Sequence, residues 1–135
     1  MSGLHRHLEE RRGRPIVIEP MPLQAGREIC GLWIETQEMD FIFHAGSASS
    51  HHRHQIILHE YSHMLLNHHE YGSANRSVAA LFPDLDPETV TRALSRGDIT
   101  NRMESEAEAL ADMLALHMMR QSYRLQENGN LGSLG

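Results

Sequence analysis

Gln55-Ile56-Ile57-Leu58-His59-Glu60-Tyr61-Ser62-His63-Met64-Leu65-Leu66 runs without proline or glycine and lies inside a longer stretch, 51–67, that also lacks both. The apolar spacing of Ile56, Leu58, Met64, Leu65 and Leu66 predicts a helix there. On a helix, residues four apart stand on one face about one turn apart, so His59 and His63 can both bind one tetrahedral metal ion. Glu60 lies about one turn from His63 and can reach a water at that ion without ligating it, the position of a general base in zinc peptidases.

Upstream of this helix, Ala45 to Ser50 is small and polar, with hydroxyls suited to cap the helix. Met39–His44 and Ile29–Ile34 read as strands, and the polar link 35–38 makes them an antiparallel hairpin. Ile16-Val17-Ile18, flanked by Pro15 and Pro20, is a short strand, and Leu4–Arg12 is a helix closed by Gly13. Downstream, His68 to Ala80 reads as a loop. Asp86-Pro87-Glu88 predicts the start of a short helix ended by Gly97. Asn101 with Glu104 resembles a capping box opening a last helix to about Tyr123, with a mobile tail beyond it over 126–135. The expected fold is therefore α+β. One domain spans 1–125, with a small sheet against the His59-bearing helix and a glutamate-bearing C-terminal helix.

The last helix carries the candidates for a third ligand. At about 100° per residue, Glu104, Glu108 and Asp112 fall within about 80° of one another, while Glu106 lies about 200° from Glu104. Glu106 shares its face with Met103, Ala107, Leu110, Met113 and His117, the face expected to pack inward. A carboxylate there is costly unless it binds a metal or pairs with an arginine, which makes Glu106 the expected third ligand. Glu104 is expected to serve the cap, and Glu108 and Asp112 a solvated face. Two histidines and a glutamate leave a fourth position open, the arrangement of a catalytic rather than a structural Zn2+ site.

The rest of the composition narrows the function. The chain has 135 residues, 12 Lys+Arg against 18 Asp+Glu, and a formal charge of −6, with every basic residue an arginine. That length suits one domain, and the acidic balance without a basic block argues against nucleic acid as a direct partner. No apolar run approaches the ~20 residues of a membrane span. The N-terminus lacks a signal-peptide pattern, and the single Cys30 is taken as a packed thiol, so a cytoplasmic location is expected. Eleven histidines invite a metal-buffering reading as well. His51, His52 and His54 nonetheless fit a solvated face, with His52 able to line a cleft beside His59. His68 and His69 suit a helix end, and His117 a core position.

Two segments in this order resemble the ImmA/IrrE-type metallopeptidases, a zincin-like family. Gln55–Leu66 is similar to the family's apolar-H-E-L-G-H helix, and Glu104-Ser105-Glu106-Ala107-Glu108-Ala109-Leu110-Ala111 to its E-x-E-A-(N/D/E)-x-(F/L)-A helix. The resemblance covers about residues 14–121. Ser62 stands where Gly or Ala is usual, Glu108 where Asn or Asp is commoner, and Leu110 in place of phenylalanine. The resemblance implies a zinc metalloendopeptidase with His59, His63 and Glu106 as ligands and Glu60 as base. Its implied substrate is a separately encoded helix-turn-helix transcriptional repressor. Manganese in place of zinc, and a non-catalytic, metal-stabilised interaction module such as a toxin–antitoxin or anti-repressor component, stay open as alternatives.

Overall fold

The computed structural model describes residues 2–21, 31–46, 48–68, 90–94 and 100–134, with backbone alone for 90–94 and 127–134. A first helix, α1 (Ser2–Arg12), buries Leu8 and stops where Gly13 turns left-handed at φ 69°, a conformation open to glycine at no steric cost. The chain then enters β1 (Ile16–Pro20), whose first amide donates to the Glu9 carboxylate.

The expected hairpin is present as β2 (Gly31–Thr36) and β3 (Asp40–His44), antiparallel, with Trp33 opposite Ile42. Thr36 closes its turn twice: its hydroxyl donates to the Met39 carbonyl and accepts from the Met39 amide. β1 pairs parallel to β3, and β4 (Val90–Leu94) pairs antiparallel to β2, giving the order β1-β3-β2-β4.

β4 corrects the reading of a short helix across 86–96. Val90 and Thr91 are β-branched, and pairing along Trp33–Thr36 of β2 overrides the local start signal in Asp86-Pro87-Glu88. The start and Gly97 stop of that expected helix lie outside the described residues, as do Ile29, Cys30 and His69–Ala80.

The central helix, α2 (Ser50–Leu65), is capped by Ser49, whose side chain accepts from the His52 amide. Ile57, Leu58, Tyr61 and Met64 join Leu8, Ile16, Trp33, Ile42 and Ala111 in one core. Each large apolar side chain so buried contributes roughly 1.5–3 kcal/mol before entropy is counted. Beneath the sheet, buried Asp40 accepts from the Arg12 guanidinium and the Trp33 indole, and Arg12 lies 4.8 Å above the Trp33 ring. A charge so deep is tolerable because each of its oxygens has a donor. Tyr61 reaches α1, its hydroxyl 2.6 Å from His5 Nδ1, which ties the first helix to the central one.

The last helix, α3 (Asn101–Leu134), packs on α2 through Met103, Ala107 and Ala111, flanked by half-buried Leu114, Ala115 and Met118. Its helical backbone continues past Tyr123 through the stretch expected as a tail. No helix among the described residues is long and apolar enough to cross a membrane.

Candidate metal centre

The inward face of α3 differs from the expected one. Met103 and Ala107 are buried as expected, but the face continues through Ala111 and Ala115, whereas Met113 is 69% exposed and His117 lies at the surface rather than in the core. The packing stripe combines these small side chains, which let two helices approach closely, with Met103, Leu114 and Met118. Glu104 borders this stripe and Glu106 turns away from it.

The cap shifts with the face. Thr100, not Asn101, holds the first turn: its hydroxyl accepts from the Met103 amide at 3.2 Å, and its carbonyl from the Glu104 amide. Glu104 is thereby one residue too far along to close a capping box and is free to reach across to α2.

That reach brings it to the two histidines. His59 Nε2 and His63 Nε2 are 3.1 Å apart, and the carboxylate spans them, with Oε2 3.1 Å from His59 and Oε1 3.3 Å from His63. Four donors around an ion at ~2.0–2.1 Å in tetrahedral geometry stand about 3.3 Å from one another. His59, His63 and Glu104 therefore could hold a metal ion. Glu106, expected as the third ligand, is outside this group. Its carboxylate accepts from Arg102 Nε at 3.1 Å and lies 3.4 Å from His68 Nε2, so the alternative of an arginine partner describes it, at the surface rather than in the core.

Glu60 occupies the adjoining interior. It is buried, and its Oε2 has no hydrogen-bond partner among the described residues. Burial, and secondarily the Glu104 charge, push its carboxyl up from 4.5 to about 8. Gly31 makes room for it: a Cβ there would sit 2.9 Å from Glu60 Oε1 and 2.8 Å from Ile56 Cγ2. His63 moves the other way, down to about 3, because it is buried and faces His59 and His68; its ring is neutral at ordinary pH, the form that ligates metal.

The group opens onto a cleft of about 370 Å³ between α2 and α3. Ile56, Leu58, Ala111 and Ala115 give it apolar walls, and His52, Glu108 and Asp112 a polar rim. His52 thus lines the cleft as its spacing from His59 suggests, and it is exposed along with His51 and His54.

Gly31 and His68 were not legible as site residues. Gly31 lies inside the expected strand Ile29–Ile34 with nothing to mark it, and His68 reads as a helix end, although it is 4% exposed. No protein-family model, curated protein or solved structure matches this chain.

Proposed function

We propose that this protein is a zinc-dependent peptidase of the ImmA/IrrE type that hydrolyses a peptide bond in a regulatory protein. The supporting observation is the convergence of His59, His63 and Glu104 at tetrahedral donor spacing beside a buried glutamate, one oxygen of which has no hydrogen-bond partner among the described residues. A zinc ion held by these three would polarise the scissile carbonyl and lower the pKa of a water toward ~7.

The chain's own groups supply the remainder. Glu60 accepts a proton at its carboxylate as the water adds, then returns it to the leaving amine; a cation held beside it would favour the charged form against the burial that raises its pKa to about 8. His63, with its depressed pKa, stays an unprotonated ligand while this proton moves. The apolar walls of the cleft receive an extended substrate segment and exclude bulk water. A transcriptional repressor encoded elsewhere is the proposed substrate, and the cytoplasm, where a lone Cys30 stays reduced, the proposed setting.

The test compares new protein N-termini in cells producing wild type or Glu60→Gln, with zinc content measured on both purified proteins. The expected result is about one zinc in each, with new termini in a DNA-binding regulator for wild type only. A zinc-loaded wild type that generates no Glu60-dependent termini would reject the peptidase reading. A wild type that takes up no zinc would reject the metal site.

A further inference from the structure

We infer that His68 and Glu106 are positioning residues that hold His63 in the one tautomer able to turn a lone pair toward the metal group. This rests on the zinc reading above.

The sequence makes the contact through the end of α2. Leu66 caps the helix, and Asn67 then takes φ 59°, a left-handed conformation that asparagine tolerates better than other side-chain-bearing residues. The turn folds His68 back beneath the helix. Its ring stands 5.1 Å from that of His63, with the two Nδ1 atoms 2.9 Å apart. His68 Nε2 in turn lies 3.4 Å from Glu106 Oε2, and Arg102 donates to the other oxygen of Glu106 at 3.1 Å.

Proton positions along this chain are set by its two ends. Glu106 Oε1 accepts from Arg102 and its Oε2 faces His68 as an acceptor, so His68 carries its proton on Nε2 and donates there. His68 Nδ1 is then bare and accepts from His63 Nδ1–H. That leaves His63 Nε2 unprotonated, on the side where His59 and Glu104 meet it. The opposite assignment would set a bare His68 nitrogen against a carboxylate. A ligating histidine whose second nitrogen is so held is fixed in rotation and made more basic, and loss of such a partner typically lowers metal affinity 10- to 100-fold.

The experiment measures zinc affinity by chelator competition for wild type, His68→Ala, His68→Gln, Glu106→Ala and Glu104→Ala. Cobalt(II) absorption and the ¹⁵N shifts of the His63 ring are recorded on the same proteins. Glu106 is 43% exposed at its side chain, so Glu106→Ala keeps the fold even if His68→Ala does not. His68→Ala and Glu106→Ala should bind one zinc 10- to 100-fold more weakly with cobalt bands unmoved, and His68→Gln, whose carbonyl oxygen can accept from Nδ1, should recover part of the loss. Glu104→Ala should move the bands. Affinities within twofold of wild type for both alanine variants would overturn the inference. So would cobalt bands that shift in Glu106→Ala as in Glu104→Ala, since Glu106 would then be a ligand. Should wild type bind no zinc, the zinc reading fails separately, and the ring shifts of the metal-free chain decide: Nδ1–H in wild type, lost in His68→Ala, upholds the pairing, and Nε2–H in both overturns it.

Discussion

Glu60→Gln should change how the stability of the metal-free protein depends on pH. The buried carboxyl is raised from 4.5 to about 8 by desolvation and by Glu104. An unfolded chain releases this proton at its ordinary pKa, whereas the folded chain keeps it until about pH 8, so between the two values the folded state binds more protons. Stability then falls as pH rises through that window, by up to about 1.4 kcal/mol per unit. Across the window this is on the order of 5 kcal/mol, a large share of the ~5–15 kcal/mol that holds a domain together. Glutamine has nearly the same shape and no proton to lose, so the variant should lack this fall. Urea unfolding of chelator-treated wild type and Glu60→Gln, monitored by circular dichroism from pH 5 to 9, isolates the effect. Wild type should lose stability relative to the variant up to about pH 8 and run parallel to it above. Zinc should flatten the wild-type curve, since a nearby cation favours the charged carboxylate. A constant gap between the two proteins over the whole range would refute the reasoning.

Asp40→Asn removes one of the two carboxylates facing Arg12, which keeps Glu35 at 3.7 Å, and should cost about 1.5–3 kcal/mol in chemical unfolding; an unchanged midpoint would show the pair contributes nothing. Gly31→Ala forces a methyl within 2.8 Å of Ile56 and 2.9 Å of Glu60, and should lower stability by about 1–3 kcal/mol in thermal unfolding while leaving zinc affinity intact. Equal stability would mean that the cleft wall yields freely. His63, shifted from 6.5 to about 3, should show no titration between pH 5 and 8 by NMR in the metal-free protein. Its depressed pKa contributes stability that is present above 6.5 and is lost as pH falls toward 3. A midpoint near 6.5 would show that the ring is solvated.

Elements set by strong local signals were legible: the Pro- and Gly-free run of α2, the Gly13 stop, and the hairpin around Thr36–Met39 each arise from residues adjacent in sequence. β4 was not, because its pairing with β2 joins residues far apart in sequence and overrides a local helix start. The histidine pair and Glu60 were likewise fixed by spacing within one helix. The carboxylate facing them depended on which side of α3 packs, and there bulk misled: Leu110, Met113 and His117 drew the inward face toward Glu106, while Ala111, Leu114 and Ala115 continue the contact that Met103 and Ala107 begin. A cap at Thr100 instead of Asn101 also frees Glu104 from the capping box it was expected to close. His68 was hidden because its burial arises from a backbone reversal at Asn67 that no periodicity announces.

The separation between His59 and Glu104, 45 residues along the chain, sets when the centre can exist during folding. The imidazoles are brought side by side as soon as α2 coils, a local event, whereas the carboxylate comes from α3 and meets them only when the two helices dock. Closure of so long a loop comes late, since its entropy must be spent before its contacts repay it. An ion gripped by all three would therefore act as a clasp on the final docking step, adding about 2.7 kcal/mol at one hundred times its dissociation constant. With such an ion bound, metal supply would govern how long α3 stays seated, and so how long the cleft keeps its second wall.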